Sequence, residues 1–261
     1  MQVRSLGFQT DLMLRRLAGA SIDDRGDHLV VRTPDNPTFY WGNFLLIEPP
    51  RPGSSAHWLD VFAREFPDAQ HVAIGVDGVD GVPGDVSELL AAGLVLEASV
   101  VLTAQQLRPT AVPAGVEVRP LVSDDDWQQM VDVRLEIDED QPPGHREFVE
   151  RKAREAQRLM LAGHGEYFGA LVDGVVRASL GVVTDGHGLA RYQSVETHPD
   201  HRRKGLARAM LGAAAETALT RLRARTLVIV ADPDYVAIDL YRGLGFAETE
   251  RQVQLQRAPS A

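Results

Sequence analysis

Residues 195–208 limit the folds open to this chain more than any other stretch. They read Val-Glu-Thr-His-Pro-Asp-His-Arg-Arg-Lys-Gly-Leu-Ala-Arg. The apolar, strand-like run Leu189–Thr197 ends there. Beyond it Ala207, Leu211, Ala214, Ala218 and Leu222 recur at helical spacing, which predicts a helix over 203–222. A strand therefore passes through a tight basic turn into a helix N-terminus, which points to an α/β architecture. The first turn of a helix presents amide N–H groups with no intrahelical acceptor and about half a positive charge. Arg202, Arg203, Lys204 and Arg208 add cationic side chains, Gly205 removes a side chain where a ligand must come close, and Ala207 keeps the next turn small. Such a turn is a seat for a pyrophosphate. It is not a P-loop, and no Gly-x-Gly-x-x-Gly occurs. Taken alone, a basic helix start with one glycine also describes a solvated cap.

The pattern around the turn is regular. Val116–Leu121 alternates like a strand, and Ser123 with Asp124, Asp125 and Asp126 caps a helix containing Trp127, Met130 and Val133. Residues 145–163 form an amphipathic helix through Val149, Ala153, Ala156 and Met160. Tyr167–Val172 and Val175–Val183 are joined by Asp173-Gly174, a strong hairpin signal. Leu227–Ala231 reads as a strand buried on both faces. Asp232-Pro233 suits a helix start, with Asp as cap and Pro at the first helical position. A last strand follows over 246–256. The order from 116 is β-α-α-β-β-β-α-β-α-β.

Two segments then carry a family resemblance. Arg202-x-x-Gly205-x-Ala207 resembles the Gln/Arg-x-x-Gly-x-Gly/Ala motif of the GNAT superfamily, the acyl-coenzyme A-dependent N-acetyltransferases. Residues 234–246, Asp-Tyr-Val-Ala-Ile-Asp-Leu-Tyr-Arg-Gly-Leu-Gly-Phe, resemble its second motif, with Ala237, Leu240, Tyr241, Gly245 and Phe246 on pattern. The element order over 116–256 is the family's. The resemblance implies a GNAT fold, a central mixed twisted sheet flanked by helices. It also implies that acetyl-coenzyme A is the cosubstrate, with no metal.

The site residues follow from that resemblance. The amides of Arg202, Arg203, Lys204, Gly205, Leu206, Ala207 and Arg208 hold the coenzyme pyrophosphate. The strand Val195, Glu196, Thr197 pairs its backbone with the pantetheine arm. An amide near Val195 polarises the thioester carbonyl, and Tyr241 protonates the departing sulfur. A core residue packed beside Leu240 and Leu244 is the plainer reading of Tyr241. Glu196 is the nearest carboxylate for a general base, and a solvent-facing strand residue is its plainer reading. Gln193 is placed to hold a relaying water. Asp234 stands where the family has Asn, and an ionised Asp only accepts hydrogen bonds, so its pantetheine contact is altered. His198 and His201 read as exposed loop residues without metal-ligand spacing. The acidic trio Asp138, Glu139 and Asp140 is either an attraction for a cationic acceptor or a solvated loop.

Upstream, Phe44–Glu48, 56–66 and 71–75 read as strand, helix and strand, and 89–97 echoes 240–248. This is the second half of the same plan in weaker form. Three prolines in Pro49-Pro50-Arg51-Pro52-Gly53-Ser54-Ser55 remove amide donors, and Leu90 stands where Tyr241 does. The expected division is a degenerate GNAT-like domain over 1–104 that has lost coenzyme binding, a linker over 105–115 carrying prolines at 109 and 113, and an acetyltransferase domain over 116–261.

Composition narrows the remaining classes. The chain has 261 residues and no cysteine, which excludes disulfides and thiolate chemistry. Its net charge of −10 argues against nucleic-acid binding, and no apolar run suits a bilayer. A cytoplasmic protein that binds no membrane is expected, a monomer in preference to a homodimer. The expected reaction is acetyl transfer to a primary amine of a small molecule or peptide. The alternatives are a catalytically silent acyl-coenzyme A-binding regulator and a structural domain without ligand.

Overall fold

The computed structural model describes residues 1–37, 39–138, 141, 144–234 and 237–258. Glu139 and Asp140 of the acidic trio, and Tyr235 and Val236 of the second motif, lie outside the described residues. The first elements are α1 (Leu6–Leu17), β1 (Ser21–Asp24), β2 (His28–Arg32), β3 (Phe44–Ile47), α2 (His57–Glu65), β4 (Val72–Val76), α3 (Ser87–Ala91) and β5 (Val95–Ala104). There follow β6 (Val116–Pro120), α4 (Asp124–Ile137), α5 (His145–Leu161), β7 (Gly165–Val172), β8 (Val175–Val183) and β9 (Leu189–Thr197). The chain closes with α6 (Leu206–Thr220), β10 (Thr226–Ala231), α7 (Ile238–Leu244) and β11 (Ala247–Arg257). No helix among the described residues is long and apolar enough to cross a membrane.

Two compact units divide the chain. One comprises Met1–Leu102, Val230–Ile238 and Glu248–Ala261, the other Thr103–Ile229 and Asp239–Ala247. The division expected from the sequence kept all of 116–261 together, whereas contacts assign the last strand to the first unit. The reason is packing: β11 pairs antiparallel with β4 from Val253↔Val76 to Arg257↔Val72. Val253 and Leu255 thereby enter a core with Leu45, Ile47, Phe62 and Ile74.

In the first unit the strand order is β1-β2-β3-β4-β11-β5, with β3 and β4 parallel across the α2 crossover. Every residue of β3 is buried: Leu45 and Ile47 join the core just named, while Phe44 and Leu46 join Phe8, Leu12 and Val31 on the other face. That is the pattern of a strand covered on both sides.

In the second unit the order is β10-β9-β8-β7-β6. The four strands from β6 to β9 are antiparallel, and β9 and β10 run parallel across α6. Trp127, Met130, Leu135 and Val149 from α4 and α5 cover one face with Tyr167 and Leu171. The Ala-rich stripe of α6, with Leu206, Met210 and Leu211, is buried as well. Asp173 (φ 52°) and Gly174 (φ 77°) are both left-handed, as a type I′ hairpin turn requires. The expected linker is packed: Arg108 N donates to Leu244 O at 2.8 Å, and Thr110 occupies the space a side chain on Gly212 would need.

Helix α6 starts at Leu206, later than its periodicity predicts. Arg203 (φ 60°) and Gly205 (φ 85°) are both left-handed, so the helix cannot begin before them. Likewise Asp232 does not cap a helix. Its Oδ1 accepts from Asp234 N at 2.8 Å, closing a local turn, and α7 begins only at Ile238.

Helix α4 is tied down at its start. Ser123 and Asp126 form a capping box, and Arg119 grips Asp126 with both guanidinium nitrogens at 2.8 Å. That fork, with the amides of Val122 and Ser123, holds the Asp126 carboxyl well below the usual carboxylate range. Asp126→Asn is expected to cost about 3 kcal/mol in urea unfolding at neutral pH, because it removes the buried carboxylate that Arg119 grips and leaves only the exposed Glu117 beside it. The folded-state pKa is depressed, so this contribution is complete above the unfolded value of about 4 and fades as pH falls below it. The gap between wild type and variant should close in acid.

Candidate active site

The site is built on the C-terminal end of β9, where two irregularities coincide. The first is a bulge. Ser179 pairs with Glu196 and Gly181 with Gln193, so Ser194 and Val195 together oppose the single residue Leu180. Ser194 sits at φ 47°, in the left-handed region, to allow it. The second is a parting of strands. β10 meets β9 only from Thr226↔Leu189 to Val228↔Arg191, and among the described residues the ladder goes no further. From Tyr192 onward β9 has no strand on that side. Gln193 Nε2 caps Tyr192 O at 2.8 Å, and Arg202 Nε reaches Thr197 O at 3.3 Å. Gln193 thus bonds its own strand, and Arg202 folds back as a cap on β9.

Beyond Thr197 a short 3₁₀ turn, Pro199–His201, leads through Arg202–Gly205 into α6. Among the described residues the amides of Arg203 to Arg208 meet no acceptor. Arg202, Arg203, Lys204 and Gly205 are exposed, Ala207 and Arg208 are half-buried, and Leu206 turns its side chain into the core. Leu206 therefore offers a ligand its amide and not its side chain. The field around the turn is positive. His201 is held below its ordinary range first by desolvation, then by Lys204, Arg177 and His198. Pro113 lies 3.2 Å from where a side chain on Gly205 would begin.

Glu196 is not the solvent-facing strand residue of the plainer expectation. Only 9% of it is exposed, and it lies in a polar cluster under α4. Arg134 Nη1 donates to Glu196 Oε1 at 2.8 Å, while Oε2 is buried without a hydrogen-bond partner. Ser179, directly opposite, is fully buried, and its Oγ has no hydrogen-bond partner either. Burial pushes the Glu196 carboxyl up to about 7, against the opposing pull of Arg134. Tyr167 lies on the same face, with its phenol bonded to Ser194 and raised above its ordinary range by burial. A residue larger than Gly at 181 would strike the Tyr167 ring, at 2.6 Å. Glu136 Oε2 meets His198 Nε2 between α4 and the end of β9, so His198 is not a free loop histidine.

Tyr241, 3% exposed, is on α7, with its ring 6.2 Å from that of Phe246. Asp234 is exposed and belongs to the first unit. The second unit thus holds Val195, Glu196, Thr197, the 202–208 turn and Tyr241. Arg134, Tyr167 and Ser179 were not singled out from the sequence. Gly181, a glycine inside a strand, is the kind of sequence feature that marks a close approach, and it was not singled out either.

Residues 127–246 match the model of the acetyltransferase (GNAT) family. Among solved structures, a conserved protein of unknown function from Staphylococcus epidermidis ATCC 12228 has a TM-score of 0.73 at 12% identity, over 93% of this chain and 96% of its own. A GCN5-related N-acetyltransferase from Kribbella flavida gives 0.67 at 15% identity, over 100% and 98%. A tandem GNAT protein from the clavulanic acid biosynthesis pathway gives 0.59 at 16% identity, over 95% and 88%. At such identities these likenesses speak for the fold. No curated protein sequence matches the chain.

Proposed function

We propose, from the match of residues 127–246 to the acetyltransferase (GNAT) family model, that this chain transfers the acetyl group of acetyl-coenzyme A directly to a primary amine of a small molecule or peptide. The observation that carries the proposal is the run Gln193–Thr197, open on the edge away from β8, leading into the acceptor-free amides of Arg203–Arg208. An extended amide-bearing arm fits the first as an added strand, and a pyrophosphate fits the second. Acetyl-coenzyme A would supply the activated thioester.

The chain's own groups do the rest. An alkyl ammonium is no nucleophile until it loses a proton. Glu196 Oε2, buried, without a hydrogen-bond partner and on a carboxyl raised to about 7, is suited to take it. The bulge at Ser194 and Val195 turns main-chain groups out of the ladder, and the Val195 amide serves as donor to the carbonyl oxygen. Tyr241 gives a proton to the leaving sulfur. Asp234 is the weakest of the expected contacts, being exposed and already accepted into a local turn through its amide.

The first unit supports the reading of a domain without a coenzyme seat. There β3 and β4 stay paired to their ends at Ile47↔Val76, and Asp77 N donates to Ile47 O at 2.8 Å, so no parting of strands occurs.

The test is thiol release from acetyl-coenzyme A across a panel of primary amines, with calorimetry for binding. The burial of Glu196 and Tyr241 is what favours the rival reading of a silent acyl-coenzyme A-binding protein. Binding heat without release on any amine would establish that rival. Tyr241→Phe is expected to lower kcat about 100-fold while the Kd for acetyl-coenzyme A stays the same. Equal turnover in the two proteins would remove Tyr241 from the mechanism.

A further inference from the structure

Three side chains outside the expected site converge on Glu196. Arg134 Nη1 holds Glu196 Oε1 at 2.8 Å, and Arg134 Nε stands 3.0 Å from Asp138 Oδ2. The same Asp138 oxygen lies 2.8 Å from His145 Nε2. Arg134 and Asp138 are one turn apart at the end of α4, and His145 opens α5. The guanidinium is thus flanked on one edge by a carboxylate oxygen that also faces the next helix, both approaches lying off hydrogen-bond geometry, while its other edge bonds the reaction strand. A lone carboxylate is free to rotate and to exchange its two oxygens. One tethered through a planar fork presents a chosen oxygen.

We propose that Arg134, flanked by the Asp138 carboxylate, is a positioning residue that tethers Glu196 through Oε1 and thereby makes Oε2 the oxygen that receives the proton of the acceptor amine. This rests on Glu196 being the base. Among the described residues the charged and titratable groups acting most strongly on Glu196 are Arg134 and Asp138 from α4 and Tyr167 from β7; on β8 the neutral Ser179 stands opposite, with Arg177 two residues along the same face. Of these Arg134 alone favours the ionised carboxylate. Removing it takes away both the tether and the charge that opposes burial. Asp138 acts on Glu196 through its place beside the guanidinium.

The experiment is a ¹³C NMR titration of the Glu196 side-chain carboxyl in the full chain, run beside the pH profile of kcat/KM. Arg134→Gln should raise the Glu196 midpoint by more than about one pH unit and lower kcat/KM about 100-fold at neutral pH. Arg134→Lys restores a charge without the fork. It should return most of the midpoint but not the rate. Should Arg134→Gln fail to fold, Arg134→Lys carries the test through its rate loss at a near-normal midpoint. Asp138→Asn should lower the ¹⁵N order parameter of Arg134 Nε–H. An unmoved Glu196 midpoint in Arg134→Gln, full rate in Arg134→Lys, or an unchanged Arg134 order parameter in Asp138→Asn overturns the proposal. A midpoint that moves while the rate profile stays still supports the tether and overturns Glu196 as base.

Discussion

Gly205→Glu is expected to abolish measurable acetyl-coenzyme A binding, raising Kd by at least about 100-fold, which corresponds to roughly 3 kcal/mol. Two costs add. Gly205 sits at φ 85°, where a side chain costs about 1–2 kcal/mol, and any Cβ there stands only 3.2 Å from Pro113 Cγ. The larger cost is electrostatic. The amides of Arg203–Arg208 and the adjoining cations form an anion seat, and a carboxylate at 205 fills it and repels the pyrophosphate. Gly205→Ala separates the two, because it carries only the strain and should lose about 10-fold. Calorimetry with acetyl-coenzyme A reads both variants, and thermal unfolding shows that each is folded. A Gly205→Glu protein that binds within threefold of wild type would remove this turn from the ligand site.

Glu196→Gln is expected to lower kcat/KM about 1,000-fold, at the middle of the range for loss of a general base. The amide keeps the shape and the contact with Arg134 but takes no proton. The pH profile gives an independent check. Burial holds the Glu196 carboxyl at about 7, so the ionised base grows through neutrality and wild-type kcat/KM should climb to a plateau above pH 8. At pH 6 about a tenth of the carboxyl is ionised. The same displacement has a stability consequence of opposite sign to that of Asp126. A carboxyl whose folded pKa is raised contributes stability at acid pH, and this contribution declines from about pH 4.5 and is lost as pH rises through 7. Urea unfolding of wild type should show that decline, and Glu196→Gln should lack it. A flat rate profile between pH 6 and 8, or a variant within tenfold of wild type, would exclude Glu196 as the base.

Elements specified by neighbouring residues were legible along the chain. The Asp173-Gly174 hairpin, the Ser123 cap, the amphipathic α5 and the buried β10 all depend on local periodicity or turn chemistry, and each is found where that chemistry puts it. Misplaced boundaries came from competing local options. Asp232 prefers its own Asx-type turn to capping a helix, and Arg203 in the left-handed region delays α6. Residues 105–115, proline-bearing and without periodicity, read as a free linker. Yet Gly212 leaves a notch that Thr110 fills, which no one-dimensional pattern displays.

The basic turn and its acceptor-free amides were written in the residues themselves, because helix ends and glycine geometry are local properties. Two things waited for the assembled sheet. One is the partner of β11, decided by which core could bury Val253 and Leu255. The other is the direction of Glu196. In an unbroken strand it shares a face with Tyr192, whose hydroxyl bonds Leu211 O on α6. The extra residue at Ser194 and Val195 reverses that parity and turns Glu196 toward Arg134 on α4. Where a strand bulges is settled by the register of its neighbours, and register is a property of several strands at once.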